Sequence, residues 1–185
     1  MIIAGIDYSM TSPAICIYDT DTEFKFENCD FFFMTQLKKY DDSPLENVHG
    51  TYFEFDDNMN RYDLISSHFI DRILDSGVVH VFIEDYSMGS KGKVFHIAEN
   101  TGILKYRLWL LQIPVTTIPP TVIKKFATGK GNANKERMQE VFEDENSVRL
   151  KEVLSMTEKQ WNPSSDLIDA YYICKYGHSH LTNQP

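Results

Sequence analysis

Four carboxylates stand out by where they sit. Asp7 follows the apolar run Ile2 to Ile6, and Glu84 follows the β-branched run Val78 to Ile83, so each ends what reads as a buried strand. Asp166 and Asp169 are three apart at the start of a helical pattern, a spacing that puts both on one face. A carboxylate at a buried strand end is costly to ionise unless a cation compensates it. Taken singly, Asp7 and Glu84 read as surface caps of strands. Asp166 and Asp169 read as early acids favoured by the helix dipole, with Ser164 or Ser165 as the cap. Taken together, the four form a hard oxygen-donor set that suits Mg²⁺ or Mn²⁺ and is poor for zinc. Two such ions about 4 Å apart would activate a water and stabilise the leaving 3′ oxygen in an in-line phosphodiester displacement.

The elements that must position these acids follow from the hydrophobic pattern. Ile2 to Ile6 and Ala14 to Tyr18 make a hairpin around a Ser/Thr/Pro turn, and the aromatic run Phe24 to Met34 makes a third antiparallel strand. Residues 37–55 form a polar excursion containing Pro44, with His49 to Phe55 as a possible additional short strand. Leu64, Ile65, Phe69, Ile70, Ile73 and Leu74 recur at helical spacing between Asn58 and Asp75, with Gly77 as the stop. After Val78 to Ile83 come a helix from Lys93 to Gln112, a strand from Pro114 to Ile118, and helices over Pro120 to Ala127 and Asn134 to Phe142. A last helix runs from Pro163 to Tyr176 and stops at Gly177. That order predicts an α/β fold: a mixed five-stranded sheet, three antiparallel strands then two parallel, flanked by α-helices. Residues 1–178 make a single domain of ordinary size and 179–185 a frayed tail.

Composition narrows the function. A 42% hydrophobic and 24% charged chain of 185 residues predicts a folded globule. No run approaches the ~18 apolar residues needed to cross a membrane and no signal peptide is visible, so a cytoplasmic location is expected. Cys16, Cys29 and Cys174 have neither a zinc spacing nor a disulfide framework and read as core thiols. The net charge of −9 argues against a nucleic-acid partner until its distribution is considered. Between Tyr86 and Met138 lie Lys91, Lys93, Lys105, Arg107, Lys124, Lys125, Lys130, Lys135 and Arg137 against only Glu99 and Glu136. This stretch carries +7 and the remainder −16, so the sequence contains one region able to meet phosphates.

With these residues in place the chain resembles the RuvC-like Holliday junction resolvases, nucleases of the RNase H-like superfamily, over nearly its whole length. Gly5-Ile6-Asp7 with its Ser/Thr-rich turn resembles their opening strand, and Val81-Phe82-Ile83-Glu84-Asp85 their second acidic strand. Pro119 to Lys125 with Gly129-Lys130-Gly131-Asn132-Ala133-Asn134-Lys135 resembles their basic loop, and Asp166-Leu167-Ile168-Asp169-Ala170 their closing acidic helix. The resemblance implies an RNase H-like fold, a homodimer, and paired symmetric nicks in a four-way DNA junction with two Mg²⁺ ions per site. Asp7, Glu84, Asp166 and Asp169 would be the metal ligands. Lys124 and Lys135 would stand near the scissile phosphate, with Lys135 assisting catalysis. Lys91, Lys93, Lys125 and Lys130 would contact DNA. Ser87 stands where the family has an aromatic wedge, and the adjacent Tyr86 is the substitute.

Other functions fit the same residues less well. The same carboxylates would serve a nuclease for forks, flaps or RNA–DNA hybrids, because the chemistry does not select nucleic-acid shape. A non-catalytic junction-binding protein would have no use for clustered acids. Actin-like ATPases and sugar kinases also open on Gly-Ile-Asp, but need two such domains around a nucleotide. Gly129-Lys130-Gly131 lacks the pattern of a phosphate-binding P-loop. His96 reads as a partly buried helical residue, and Phe31-Phe32-Phe33 as a strand burying alternate rings.

Overall fold

The opening hairpin forms as its alternation dictates. In the computed structural model, which describes residues 1–42, 45–86 and 94–182, β1 (Ile2–Asp7) pairs antiparallel with β2 (Ala14–Asp19), with Gly5 opposite Cys16 and Asp7 opposite Ala14. β3 (Cys29–Thr35) continues the antiparallel run. It begins later than the aromatic content predicts, because Phe24 and Phe26 turn into the core rather than extend the strand. Phe24 packs 4.5 Å from the Tyr18 ring and Phe26 is buried in a 3-10 turn. Phe31 and Phe33 are buried on one face of β3, while Phe32 points to the other and stacks on His49.

The sheet has six strands where five are expected. β4 (Val48–Tyr52), drawn from the polar excursion, pairs parallel with β3 at the sheet edge. Its local pattern is weak because Gly50 and His49 are poor strand formers, and packing decides the outcome. A side chain at Gly50 would sit 1.8 Å from the Tyr40 carbonyl oxygen, so this segment folds tightly back on itself. Beyond α1 (Asn58–Asp75), capped by the Asp57 carboxylate on the Asn60 amide, come β5 (His80–Glu84), α2 (Val94–Leu110) and β6 (Val115–Ile118). The strand order is β4-β3-β2-β1-β5-β6, with β5 parallel to both β1 and β6.

Helices cover both faces, which is why the central strands read as continuous apolar runs. Ala4, Ile6, Val81 and Ile83 face α1 and α2, whose Ile65, Phe69, Ile73, Leu104 and Leu108 complete that core. Ile3, Cys16, Phe31 and Phe82 face the other side, covered by α3 (Pro120–Thr128), α4 (Lys135–Asn146), the short α5 (Leu150–Val153) and α6 (Ser164–Thr182). All three cysteines are buried free thiols in that second core. No helix among the described residues is long and apolar enough to cross a membrane.

Two glycines set how α6 lies on the sheet. A β-carbon at Gly5 would fall 2.2 Å from the Cys174 amide nitrogen and 2.7 Å from the Ala170 carbonyl oxygen, so the helix backbone rests directly on β1. Gly177, expected to end this helix, instead lies inside it: the helix continues to Thr182, and a β-carbon there would meet the Phe82 ring at 2.3 Å. Its role is close approach to β5 rather than termination.

Candidate active site

The sheet places Asp7 and Glu84 together because β1 and β5 are parallel neighbours. Ile6 pairs with Ile83, so the next residue on each strand, Asp7 and Glu84, lies at the same carboxyl edge. On α6 the residues Asp166, Asp169, Ala170, Cys174 and Gly177 form one stripe at helical spacing. The last three sit over β1 and β5, and the first two project where those strands end. Three elements far apart in sequence thus bring four carboxylates to one spot.

Their ionisation shows the convergence. Burial pushes the Asp7 carboxyl well above the usual range, and repulsion from Asp166, Asp169 and Glu84 pushes it further. Asp169 is raised to about 8 by burial and by Glu84 and Asp166, against the pull of Lys135 and Lys124. Glu84 is raised to about 7, mostly by burial, with Lys124 opposing and Asp166 adding. Asp166 is raised least sharply. Burial lifts it, while hydrogen bonds from Ser12 and Ser9 and the charge of Lys135 hold it down. The Ser12 hydroxyl donates to Asp166 at 2.6 Å.

By donor type, carboxylate oxygens suit a hard divalent ion. Among the described residues no group of three or more His, Cys, Asp or Glu side chains is placed so that it could hold a metal ion by itself. An ion with the preferences of Mg²⁺ takes one or two carboxylates plus water and phosphate oxygens, so a shell completed by substrate suits this set. The electrostatics point the same way, since four acids that resist ionisation together need added positive charge to hold all four protons off.

The lysines divide into two groups. Lys124 on α3 and Lys135 at the start of α4 act on the acids, and the Lys135 ammonium donates to the Ser165 hydroxyl at 3.2 Å. Lys125 lines a separate concavity with Phe126 and Tyr176, and Lys130 is exposed on the loop after α3. Lys91 and Lys93 lie outside the described residues, as does Ser87. Two further charges of the basic stretch are engaged elsewhere: Arg107 pairs with Asp63 on α1, and Arg137 with Glu140 at 3.0 Å. Tyr86 is half-buried beside the acids and shares with Asp7, Glu84, Ile97 and Thr101 a concavity of about 290 Å³; the Lys105 ammonium lies 5.2 Å from its ring centre. His96 is half-exposed and bonded to Tyr62 at 3.1 Å.

Sequence reasoning passed over Ser12 and Trp161. Ser12 reads as a turn residue, and only the fold shows its hydroxyl reaching Asp166 across the chain. Trp161 lines a hollow with Lys124, Lys135 and Asp169, and its position directly before Asn162-Pro163 gives no hint of that in the sequence.

The sequence matches no family model and no curated protein. The fold does have relatives among solved structures. The RuvC structure of Thermus thermophilus aligns with a TM-score of 0.62 at 15% identity, covering 98% of this chain and 96% of that one. The T. thermophilus RuvC in complex with its Holliday junction substrate aligns at 0.64 and 12% identity, covering 97% and 96%. The yeast mitochondrial Holliday junction resolvase Ydc2 aligns at 0.55 and 11%, covering 98% and 81%. Near-complete coverage in both directions, with the same mixed sheet flanked by helices, gives this chain the fold of the RuvC Holliday junction resolvases.

Proposed function

We propose that the chain is a divalent-metal-dependent endonuclease that resolves four-way DNA junctions by paired symmetric nicks, acting as a homodimer. One observation carries the reading: Asp7, Glu84, Asp166 and Asp169 converge, each raised in pKa, with Lys124 and Lys135 beside them. Asp7, Glu84, Asp166 and Asp169 would hold Mg²⁺, or Mn²⁺ in its place. When bound, two such ions would supply activation of the attacking water and stabilisation of the leaving 3′ oxygen. Asp7, reached by the other three, would hold the centre of the set. Ser12 and Ser9 orient Asp166 through their hydroxyls, and Lys135 and Lys124 offset the developing phosphate charge. Lys125 and Lys130, with Lys91 and Lys93, would carry the DNA backbone away from the site, and Tyr86 would stack at the branch. The solved RuvC holding its junction supports the choice of substrate.

The dimer reading rests on α2. Phe95, Gly102, Tyr106 and Trp109 follow one another at helical spacing, and their apolar side chains are exposed, Phe95 at 76% and Trp109 at 70%. A β-carbon at Gly102 would meet nothing, so this face is open to close approach. A second copy of the same helix fits the requirement, since a two-fold interface pairs a patch with itself. Trp109→Glu should convert the dimer to a monomer in light scattering and turn paired incisions into single nicks. A wild-type protein that is monomeric at micromolar concentration would remove the dimer from the account.

The defining experiment offers an immobile four-way junction, a linear duplex, a fork and an RNA–DNA hybrid side by side with Mg²⁺. Symmetric nicks in the junction, with little cleavage of the duplex, are expected. Preferential cutting of the fork or hybrid would refute junction resolution and leave a nuclease of another specificity.

A further inference from the structure

The loop that carries Ser9 and Ser12 joins β1 to β2, and the sheet holds both of its ends. Asp7 still pairs with Ala14, and the Met34 amide of β3 donates to the Pro13 carbonyl at 3.1 Å. Between these ends Ser9, Met10 and Thr11 line the same concavity as Asp7 and Glu84. The Ser12 amide closes the loop on itself by donating to the Ser9 hydroxyl at 3.2 Å, and the Ser12 hydroxyl goes on to Asp166. The outer turn is gripped from the side by Arg61, near the start of α1, whose guanidinium donates to the Met10 carbonyl.

That arginine is set into the structure and not left to solvent. Its guanidinium carbon lies 4.5 Å from the centre of the Phe55 ring, and Phe55 packs 5.9 Å from buried Phe53. Burial pulls the guanidinium below its ordinary pKa range, and its Nε is buried with no hydrogen-bond partner among the described residues. An arginine facing water would keep its hydration, so this one is held in place against a desolvation penalty.

We infer that Arg61 is a positioning residue for the acidic site: through Met10 it fixes the loop from Ser9 to Ser12, and through Ser12 it fixes Asp166 against Asp7. The inference rests on the function proposed above and adds a residue, outside the acids and their lysines, that sets the geometry of the acids. It also gives the 37–55 excursion a role. β4 pairs with β3, the Phe53 amide just beyond it donates to the Thr35 carbonyl at 3.0 Å, and Phe55 is thereby delivered as the platform on which Arg61 lies. A planar guanidinium can lie flat on a ring and still direct an N–H within its own plane at a carbonyl, which a rounder and more strongly hydrated ammonium does less well.

Arg61→Met keeps an apolar stem over Phe55 and removes every donor. Two readouts test it. The first is amide hydrogen exchange, followed by NMR in the metal-free protein without DNA. The Ser12 amide should exchange about 10-fold faster than in wild type, as for the loss of one hydrogen bond from a charged group, while the amides of Ile65 and Phe69 within α1 keep their rates. The second is cleavage of the four-way junction. There kcat should fall on the order of 10²-fold, the effect of about 1 Å of displacement at a reacting centre, with KM unchanged. Arg61→Lys should recover part of both losses. Phe55→Leu should produce the same two changes at smaller size, and should add nothing when combined with Arg61→Met, because both act through one contact. A loosened loop in a protein whose wild type cuts nothing would uphold the clamp while removing the nuclease, so the two readings fail separately. Unchanged Ser12 exchange in Arg61→Met would overturn the inference whatever happens to the rate. A raised KM with kcat intact would overturn it as well, by making Arg61 a contact to DNA.

Discussion

Asp7→Asn should abolish cleavage, lowering the rate by about 10³-fold or more, while junction affinity stays within a few-fold of wild type. Asp7 is the acid that each of the other three acts on, so its loss removes the centre of the donor set and leaves the surrounding lysines untouched. The same variant should be more stable than wild type when metal is absent, by about 1–2 kcal/mol, which at this chain length raises Tm by roughly 2–8 °C. The pH dependence follows from the direction of the shifts. Below about pH 3 the acids are protonated in both folded and unfolded chains and repulsion costs nothing. As pH rises the unfolded chain releases its protons first, because folded Glu84 and Asp169 titrate only near 7 and 8 and Asp7 is also raised. Metal-free wild type therefore loses stability across that interval, and the advantage of Asp7→Asn opens across it. Added Mg²⁺ should raise the Tm of wild type and do little for the variant. Wild-type cleavage by Asp7→Asn would defeat the assignment, and a melting temperature indifferent to both Mg²⁺ and the substitution would deny that the acids form one electrostatic unit.

The second large effect should come from Gly5→Ala, a single methyl far from solvent. Its carbon would be placed 2.2 Å and 2.6 Å from the backbone nitrogen and α-carbon of Cys174, atoms that no side-chain rotation can clear. The helix must lift or tilt, and overpacking of this kind costs about 3 kcal/mol, or roughly 6–12 °C in Tm at this size. Activity should suffer beyond the loss of folded protein, because moving α6 moves Asp166 and Asp169 against Asp7, and a displacement of about 1 Å costs on the order of 10²-fold in rate. Cleavage measured well below both melting temperatures separates the two effects. A variant that melts with wild type would show that the helix does not rest on β1 as closely as described.

The acids were legible in the sequence because each is announced locally. Asp7 and Glu84 stand at the ends of apolar runs, and Asp166 and Asp169 share one face of a helix, so periodicity alone places them on elements. What joins those elements is carried by residues with no side chain to read. Gly5 looks like any glycine in a strand, and Gly177 has the look of a helix stop until the Phe82 ring is seen against it. An additional short strand was legible at His49 to Phe55, but its place as the sixth strand of the sheet was not, because its hold comes from β3 and Tyr40 rather than from its own weak pattern. Charge counting found Lys124 and Lys135 but did not separate them from Arg107, whose guanidinium is spent on Asp63. Ser12 and Trp161 carry no local signal, since each matters only through what the fold sets opposite it.

The lodging of α6 on β1 also orders events in time. A ribosome delivers Asp7 and Glu84 first, and on the order of ten seconds of further synthesis pass before Asp166 and Asp169 emerge. Until then the growing chain has two of its four acids and a sheet face that α6 has yet to cover, so on the proposed function it could neither gather metal in full nor cut. On the proposed function, a nuclease assembled this way would stay harmless to the nucleic acid around it while it is being made, and a chain released before α6 would be sticky rather than active.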